Sequence, residues 1–97
     1  MMTPAFSVRV TPHCERLIKG LNKQHPDFIT HYEKAIRILS SDPYNRTRSH
    51  QIKKLESTAA GESAWRLRLG RWRFRYDIGD QQVELSYCGL RREDTYK

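Results

Sequence analysis

Acidic residues are in short supply in this chain. Eleven Asp and Glu stand against eighteen Lys and Arg, leaving a formal net charge of +7. The partner this balance favours is a polyanion, either nucleic acid or an acidic protein segment. The carboxylates are also dispersed, with no cluster that could hold magnesium, and the few glycines form no phosphate-cradling loop. A two-metal nuclease and an NTPase are therefore disfavoured, and neither a metal nor another cofactor is expected. Cysteine is limited to Cys14 and Cys88, far apart and without ligand spacing to His13 or to each other. Both are expected to be reduced, packed or incidental residues and not part of a zinc site. Long apolar runs are missing too, which argues against a membrane span. The Met-Met-Thr-Pro start carries neither a basic n-region nor an apolar h-region, so the expected location is the cytoplasm.

What is present is a small set of strongly periodic segments. A length of 97 residues suits one domain covering 1–97. The hydrophobic fraction is low at 37%, but the aromatic and aliphatic residues cluster periodically, as a folded chain requires. Phe6, Val8 and Val10 alternate with Ser7 and Arg9, predicting a strand from Ala5 to Val10. Thr11-Pro12 then opens a helix whose apolar stripe is Cys14, Leu17, Ile18 and Leu21, ending near Leu21. Pro26-Asp27 opens a second helix with Phe28, Tyr32, Ala35, Ile36 and Leu39 on one face, and Asp42-Pro43 closes it. From Tyr44 to Ser63 the chain is polar and basic and reads as a loop or weak strand. Beyond it the period becomes two. Trp65 to Leu69 and Trp72 to Ile78 form a hairpin across Gly70-Arg71, and Val83 to Tyr87 adds a third strand after Gly79-Asp80. The tail from Gly89 to Lys97 is too short for a further packed element. The expected fold is α+β: an N-terminal strand, a helical hairpin and an antiparallel meander, with the helices stacked on one face of the sheet.

The alternation on the hairpin carries the functional signal. Arg66 and Arg68 share one face of their strand, as do Arg73 and Arg75 on the next, while Trp65, Leu67, Leu69, Trp72, Phe74, Tyr76 and Ile78 point the other way. If the aromatic face packs on the helices, the arginines stand together on the open face, with Asp77 the only carboxylate in register. Neighbouring strands lie about 5 Å apart, where facing like charges destabilise a sheet. An anionic ligand explains why such an arrangement is kept. Arginine suits phosphate because its planar fork offers paired donors and its charge persists at physiological pH. For the same reason it cannot serve as a base. Candidates for proton transfer near this face are His50, Lys53, Lys54, Tyr87 and Tyr96, whereas His13, His25 and His31 lie on the helical half and are structural or solvated. Without a metal, the obvious cleavage route is attack of a ribose 2′-hydroxyl on its own phosphate, which restricts the substrate to RNA.

The run Lys53-Lys54-Leu55, Trp65-Arg66-Leu67-Arg68-Leu69, Trp72-Arg73-Phe74-Arg75-Tyr76 and Cys88-Gly89-Leu90-Arg91-Arg92 resembles the RelE/ParE toxin superfamily. With the strand and helical hairpin before it, the resemblance spans nearly the whole chain. It implies the toxin of a toxin–antitoxin pair, with a cognate antitoxin as protein partner and the ribosome and mRNA as targets. In the RelE-like branch the activity it implies is metal-independent mRNA cleavage yielding a 2′,3′-cyclic phosphate. By position it assigns Arg66 and Arg68 to the substrate backbone, Arg73 to the scissile phosphate and Arg91 to the transition state. Lys53, Lys54, Arg75 and Arg92 complete the expected RNA-binding set. His50, in Ser49-His50-Gln51-Ile52, resembles a T-H-x-L stretch whose histidine takes part in catalysis, and Tyr96 resembles the family's terminal tyrosine. Leu90 stands where many members carry His, and Arg75 where many carry an apolar residue, so His50, Tyr96 and a lysine remain alternatives for the base. Two other functions are compatible with the same face: a ParE-like gyrase inhibitor with no nuclease activity, and a non-catalytic module that binds RNA or an acidic protein.

Overall fold

The computed structural model describes residues 5–55 and 64–90. The elements run β1 (Ser7–Val10), α1 (Pro12–Gln24), α2 (Phe28–Ser41), β2 (Gln51–Lys54), β3 (Trp65–Leu69), β4 (Trp72–Ile78) and β5 (Gln82–Leu90). The strands form one sheet in the order β1-β5-β4-β3-β2. All neighbours are antiparallel except β1, which joins β5 in parallel and sets Val8 and Val10 opposite Val83 and Leu85. The helical hairpin thus lies between one edge strand and the other in the chain, and the α+β arrangement predicted from the sequence is the one observed.

Local chemistry explains most boundaries. Thr11 accepts a hydrogen bond from the Cys14 N–H at 3.2 Å, and Pro12 fills the first turn of α1. This helix continues to Gln24, three residues past the predicted end near Leu21. Its polar last turn contains no breaker, and the extended conformation of His25, φ −134° and ψ 96°, is the one that a following proline favours. Helix α2 stops at Ser41, before Asp42-Pro43. Gly70 turns the β3–β4 hairpin with φ +60°, a conformation that glycine takes at little cost.

Two strands extend beyond the sequence pattern. Residues 51–54, read as loop or weak strand, pair with β3 as the sheet's far edge, because Ile52 meets Leu67 and anchors an otherwise polar segment. Strand β5 extends three residues beyond Tyr87 to Leu90, with Cys88 and Leu90 opposite Phe74 and Trp72.

The core lies between the sheet and the helices. Leu67, Trp72, Phe74, Tyr76, Val83, Leu85 and Cys88 meet Cys14, Phe28, Ala35, Ile38 and Leu39, all buried. Phe28 joins the two layers, its ring centroid 4.9 Å from Trp72 and 6.5 Å from Phe74. Each such side chain contributes about 1.5–3 kcal/mol by leaving water, and an aromatic pair adds about 0.5–1.5 kcal/mol. The polar tips are matched as well. Tyr76 donates its hydroxyl hydrogen to the Pro43 carbonyl at 2.7 Å, and the Trp72 indole N–H donates to Asp27 Oδ2 at 3.4 Å. The two cysteines are free and buried, with Sγ atoms 3.9 Å apart across α1 and β5. The hydrogen bond that Cys88 shares with Cys14, together with burial, favours the protonated Cys88 thiol and pushes it well up.

Candidate nucleic-acid interface

Because the aromatic face of the hairpin is covered by the helices, its alternate residues stand on the opposite side of the sheet. Strand register then decides which of them meet. Arg66 lies opposite Arg75, and Arg68 opposite Arg73. The edge strand extends both pairs, with Lys53 opposite Arg66 and Gln51 opposite Arg68. On the other side Tyr87 is opposite Arg75 and Gly89 opposite Arg73. Two adjacent rungs result: Lys53-Arg66-Arg75-Tyr87 and Gln51-Arg68-Arg73-Gly89. At strand spacings of about 4.8 Å, each rung crosses about 14 Å of the sheet. The arginines are half-buried, with the Nε atoms of Arg66, Arg73 and Arg75 enclosed. Their stems therefore lie against the sheet and fix the direction of the guanidinium heads.

The far end of this face is acidic. Asp77, predicted to be the only carboxylate in register, is joined by Glu84 directly opposite it. Asp77 Oδ1 accepts the Ala64 N–H at 2.9 Å, so part of its charge is spent on holding the start of β3. Among the described residues this face is consequently polarised along the strands, with Lys and Arg toward the β3–β4 turn and Asp77 and Glu84 toward Ile78.

Tyr87 reaches this face through a β-bulge. Tyr76 pairs with Leu85 but Arg75 with Tyr87, so Ser86 is the extra residue of β5, and its hydroxyl donates to the Arg75 carbonyl at 3.3 Å. Unbroken alternation from Val83 and Leu85 would have turned Tyr87 into the core. The bulge instead turns it outward, 39% exposed, and sends Cys88 inward. The phenol lies over Gly89, where an added Cβ would stand 2.5 Å from the hydroxyl oxygen. The sequence did contain the signal, since the apolar positions of this strand are 83, 85, 88 and 90, a period of two that slips by one residue.

The other expected site residues divide into three groups. Lys53 joins the rungs, whereas Lys54 points to the reverse face, opposite Trp65, with Nζ 5.6 Å from the indole centroid. Arg91, Arg92 and Tyr96 lie outside the described residues. His50 stands around the β2 edge from the rungs, beside the end of α2. Its Nε2 is 3.8 Å from Asp42 Oδ2, and its backbone is clamped by Asn45, which donates to the His50 carbonyl at 3.0 Å and accepts its N–H at 3.1 Å. Asp42 also accepts the Arg46 N–H at 2.8 Å and the Thr47 hydroxyl at 2.7 Å. Burial opposes the charge on Asp42, but the hydrogen bonds from Thr47 and Arg46 and the nearby His50 outweigh it and hold the carboxyl below its usual range. A cleft of about 420 Å³ opens here, lined by Lys34, Ile38, Ser49, His50, Gln51, Arg68, Leu69 and Gly70. Arg68 and Gln51 thus belong both to the second rung and to the cleft of His50.

Comparison with solved structures finds the same fold in the archaeal RelE of the RelE–RelB complex from Pyrococcus horikoshii OT3, with TM-score 0.62 and 22% identity over 92% of this chain and 98% of that one. The YoeB dimer from Staphylococcus aureus matches with TM-score 0.65 and 13% identity over 91% of this chain and 99% of that one. No family profile and no curated protein matches the sequence. The fold is thus the RelE-like one that the motifs implied.

Proposed function

We propose that this chain is the toxin of a toxin–antitoxin pair and acts as an endoribonuclease on mRNA at the ribosome. The observation that carries the reading is the pair of cationic rungs on the open sheet face, five Lys and Arg side chains in adjacent register. Guanidiniums at strand spacing suit successive phosphates of a single strand, offering paired donors and a charge that survives every physiological pH. The RelE-like fold and the motif order point the same way, and the complex formed by the archaeal RelE with RelB favours an antitoxin as the protein partner.

In this reading Arg66, Arg68 and Lys53 hold the backbone, and Arg73, at the middle of its rung, steadies the scissile phosphate. The ribose 2′-hydroxyl attacks that phosphorus, the 5′-oxygen of the next nucleotide leaves, and a 2′,3′-cyclic phosphate remains. Arg91 supplies charge to the transition state, and Arg92 belongs to the RNA-binding set. The base that takes the 2′-hydroxyl proton is His50, Tyr96 or a lysine. A strand crossing the second rung toward Gly70 passes Arg68 and enters the cleft that His50 lines, which supports the histidine. Lys54, on the reverse face, is left out of the contact set.

Induction of the chain followed by end-mapping of cellular transcripts tests this. Translated mRNAs are expected to gain cuts within codons, and Arg73→Ala is expected to abolish both cuts and growth arrest while thermal unfolding stays cooperative. Arrested cells with intact transcripts, together with inhibition of purified gyrase, would instead identify a gyrase inhibitor.

A further inference from the structure

A tyrosine is an odd occupant of a face otherwise given to charged and polar side chains. Tyr87 contributes no ring contact to the core cluster, yet three features of β5 fix where it stands. The bulge at Ser86 turns it outward, its register sets it beside Arg75, and Gly89 leaves the space over which its ring lies, next to Arg73. A side chain at Gly89 would occupy the place of the phenol, since even a Cβ there comes within 3.0 Å of Cζ. The result is a 39% exposed aromatic plate at the end of one cationic rung and beside the other.

We propose that Tyr87, seated on Gly89, is the stacking platform for one nucleobase of the bound RNA; this rests on the RNA-cleaving reading above and adds a named base contact to it. A single strand offers unstacked bases on one side and phosphates on the other, and proteins that hold it pair aromatic rings with guanidinium groups. Here the ring and the guanidiniums of Arg73 and Arg75 are one strand apart, about 4.8 Å between backbones. One nucleotide can therefore rest its base on Tyr87 while an adjoining phosphate meets an arginine. Every base presents a π-face, so the contact anchors one nucleotide position without choosing its identity.

The test is binding of a short single-stranded RNA with methylated 2′-hydroxyls, which blocks cleavage, scanned with one abasic nucleotide at successive positions. It is run on the full chain and on Tyr87→Phe, Tyr87→Leu and Gly89→Ala. Wild type is expected to lose about 5- to 150-fold in affinity when one particular base is removed. Tyr87→Phe should behave like wild type. Tyr87→Leu should lose the same factor on intact RNA and nothing more on the RNA abasic at that position. Gly89→Ala should match Tyr87→Leu, because its methyl displaces the ring while the ring itself is kept. Salt-sensitive residual binding by Tyr87→Leu would show that the arginine rungs still fold and function. Equal affinity of wild type and Tyr87→Leu, or losses that add when variant and abasic RNA are combined, would overturn the stacking role and leave the RNA interface standing. A wild-type chain that binds no RNA even at low salt would overturn the RNA reading and the platform with it.

Discussion

The cationic rungs make a quantitative claim about salt. Lys53, Arg66, Arg68, Arg73 and Arg75 share the open face, while Lys54 stands behind the sheet against Trp65. Each phosphate neutralised on a single strand contributes about −0.7 to the slope of log K against log salt concentration. Five contacts therefore give a slope of about −3.5, so raising salt from about 50 to 200 mM weakens binding roughly 100-fold. Removing one rung cation, as in Lys53→Ala or Arg75→Ala, should bring the slope to about −2.8, whereas Lys54→Ala should leave it near −3.5. Fluorescence anisotropy of a labelled, cleavage-resistant RNA over a salt series measures all four proteins. The two adjacent lysines provide the sharpest contrast, because the pleat alone separates them. A slope near zero for wild type, or equal losses for Lys53→Ala and Lys54→Ala, would refute the assignment of these charges to one interface.

Two predictions concern the scaffold beneath that interface. Tyr76→Phe removes the donor to the Pro43 carbonyl inside the core and should destabilise the chain by about 1–3 kcal/mol with an unchanged denaturant slope, measurable by urea unfolding. Asp42, whose carboxyl is held below its usual range by the Thr47 and Arg46 hydrogen bonds and His50 against the opposing effect of burial, contributes stability that is present above the unfolded-state pKa of about 3.9 and lost as pH falls through its lower folded value. Asp42→Asn should accordingly lower the midpoint of thermal unfolding at pH 7 and flatten its fall with pH below about 4; a parallel drop in both proteins would contradict that role.

How far the sequence could be read depended on whether a feature is local. The helix starts at Thr11-Pro12 and before Phe28, the stop before Pro43, and the whole β3–β4 hairpin follow from capping, proline geometry and two-residue alternation. Those rules act within a few residues, and the predicted and observed boundaries of β3 and β4 coincide. Alternation also required that arginines and aromatics of the hairpin occupy opposite faces, and that Lys53 and Lys54 part company, once residues 51–54 are known to be a strand. That last condition was legible only as one of two alternatives, loop or weak strand. A four-residue polar segment with a single apolar anchor becomes a strand only because Ile52 finds Leu67 and β3 offers its free edge.

The amino-acid order alone thus determined the α+β class, the hairpin and the composition of its cationic face, because short-range sterics and periodicity encode them. Tertiary structure decided the parallel docking of β1 on β5, the placement of His50 in a cleft around the edge from the rungs, and the exit of Tyr87 from the core. Each of these depends on which distant segment satisfies a backbone edge or fills a space, and the slip at Ser86 reverses the facing of every residue after it in β5. One residue of register, marked in the sequence by the slipped apolar spacing 83, 85, 88 and 90 and fixed by pairing with β4, separates a buried tyrosine from an exposed one.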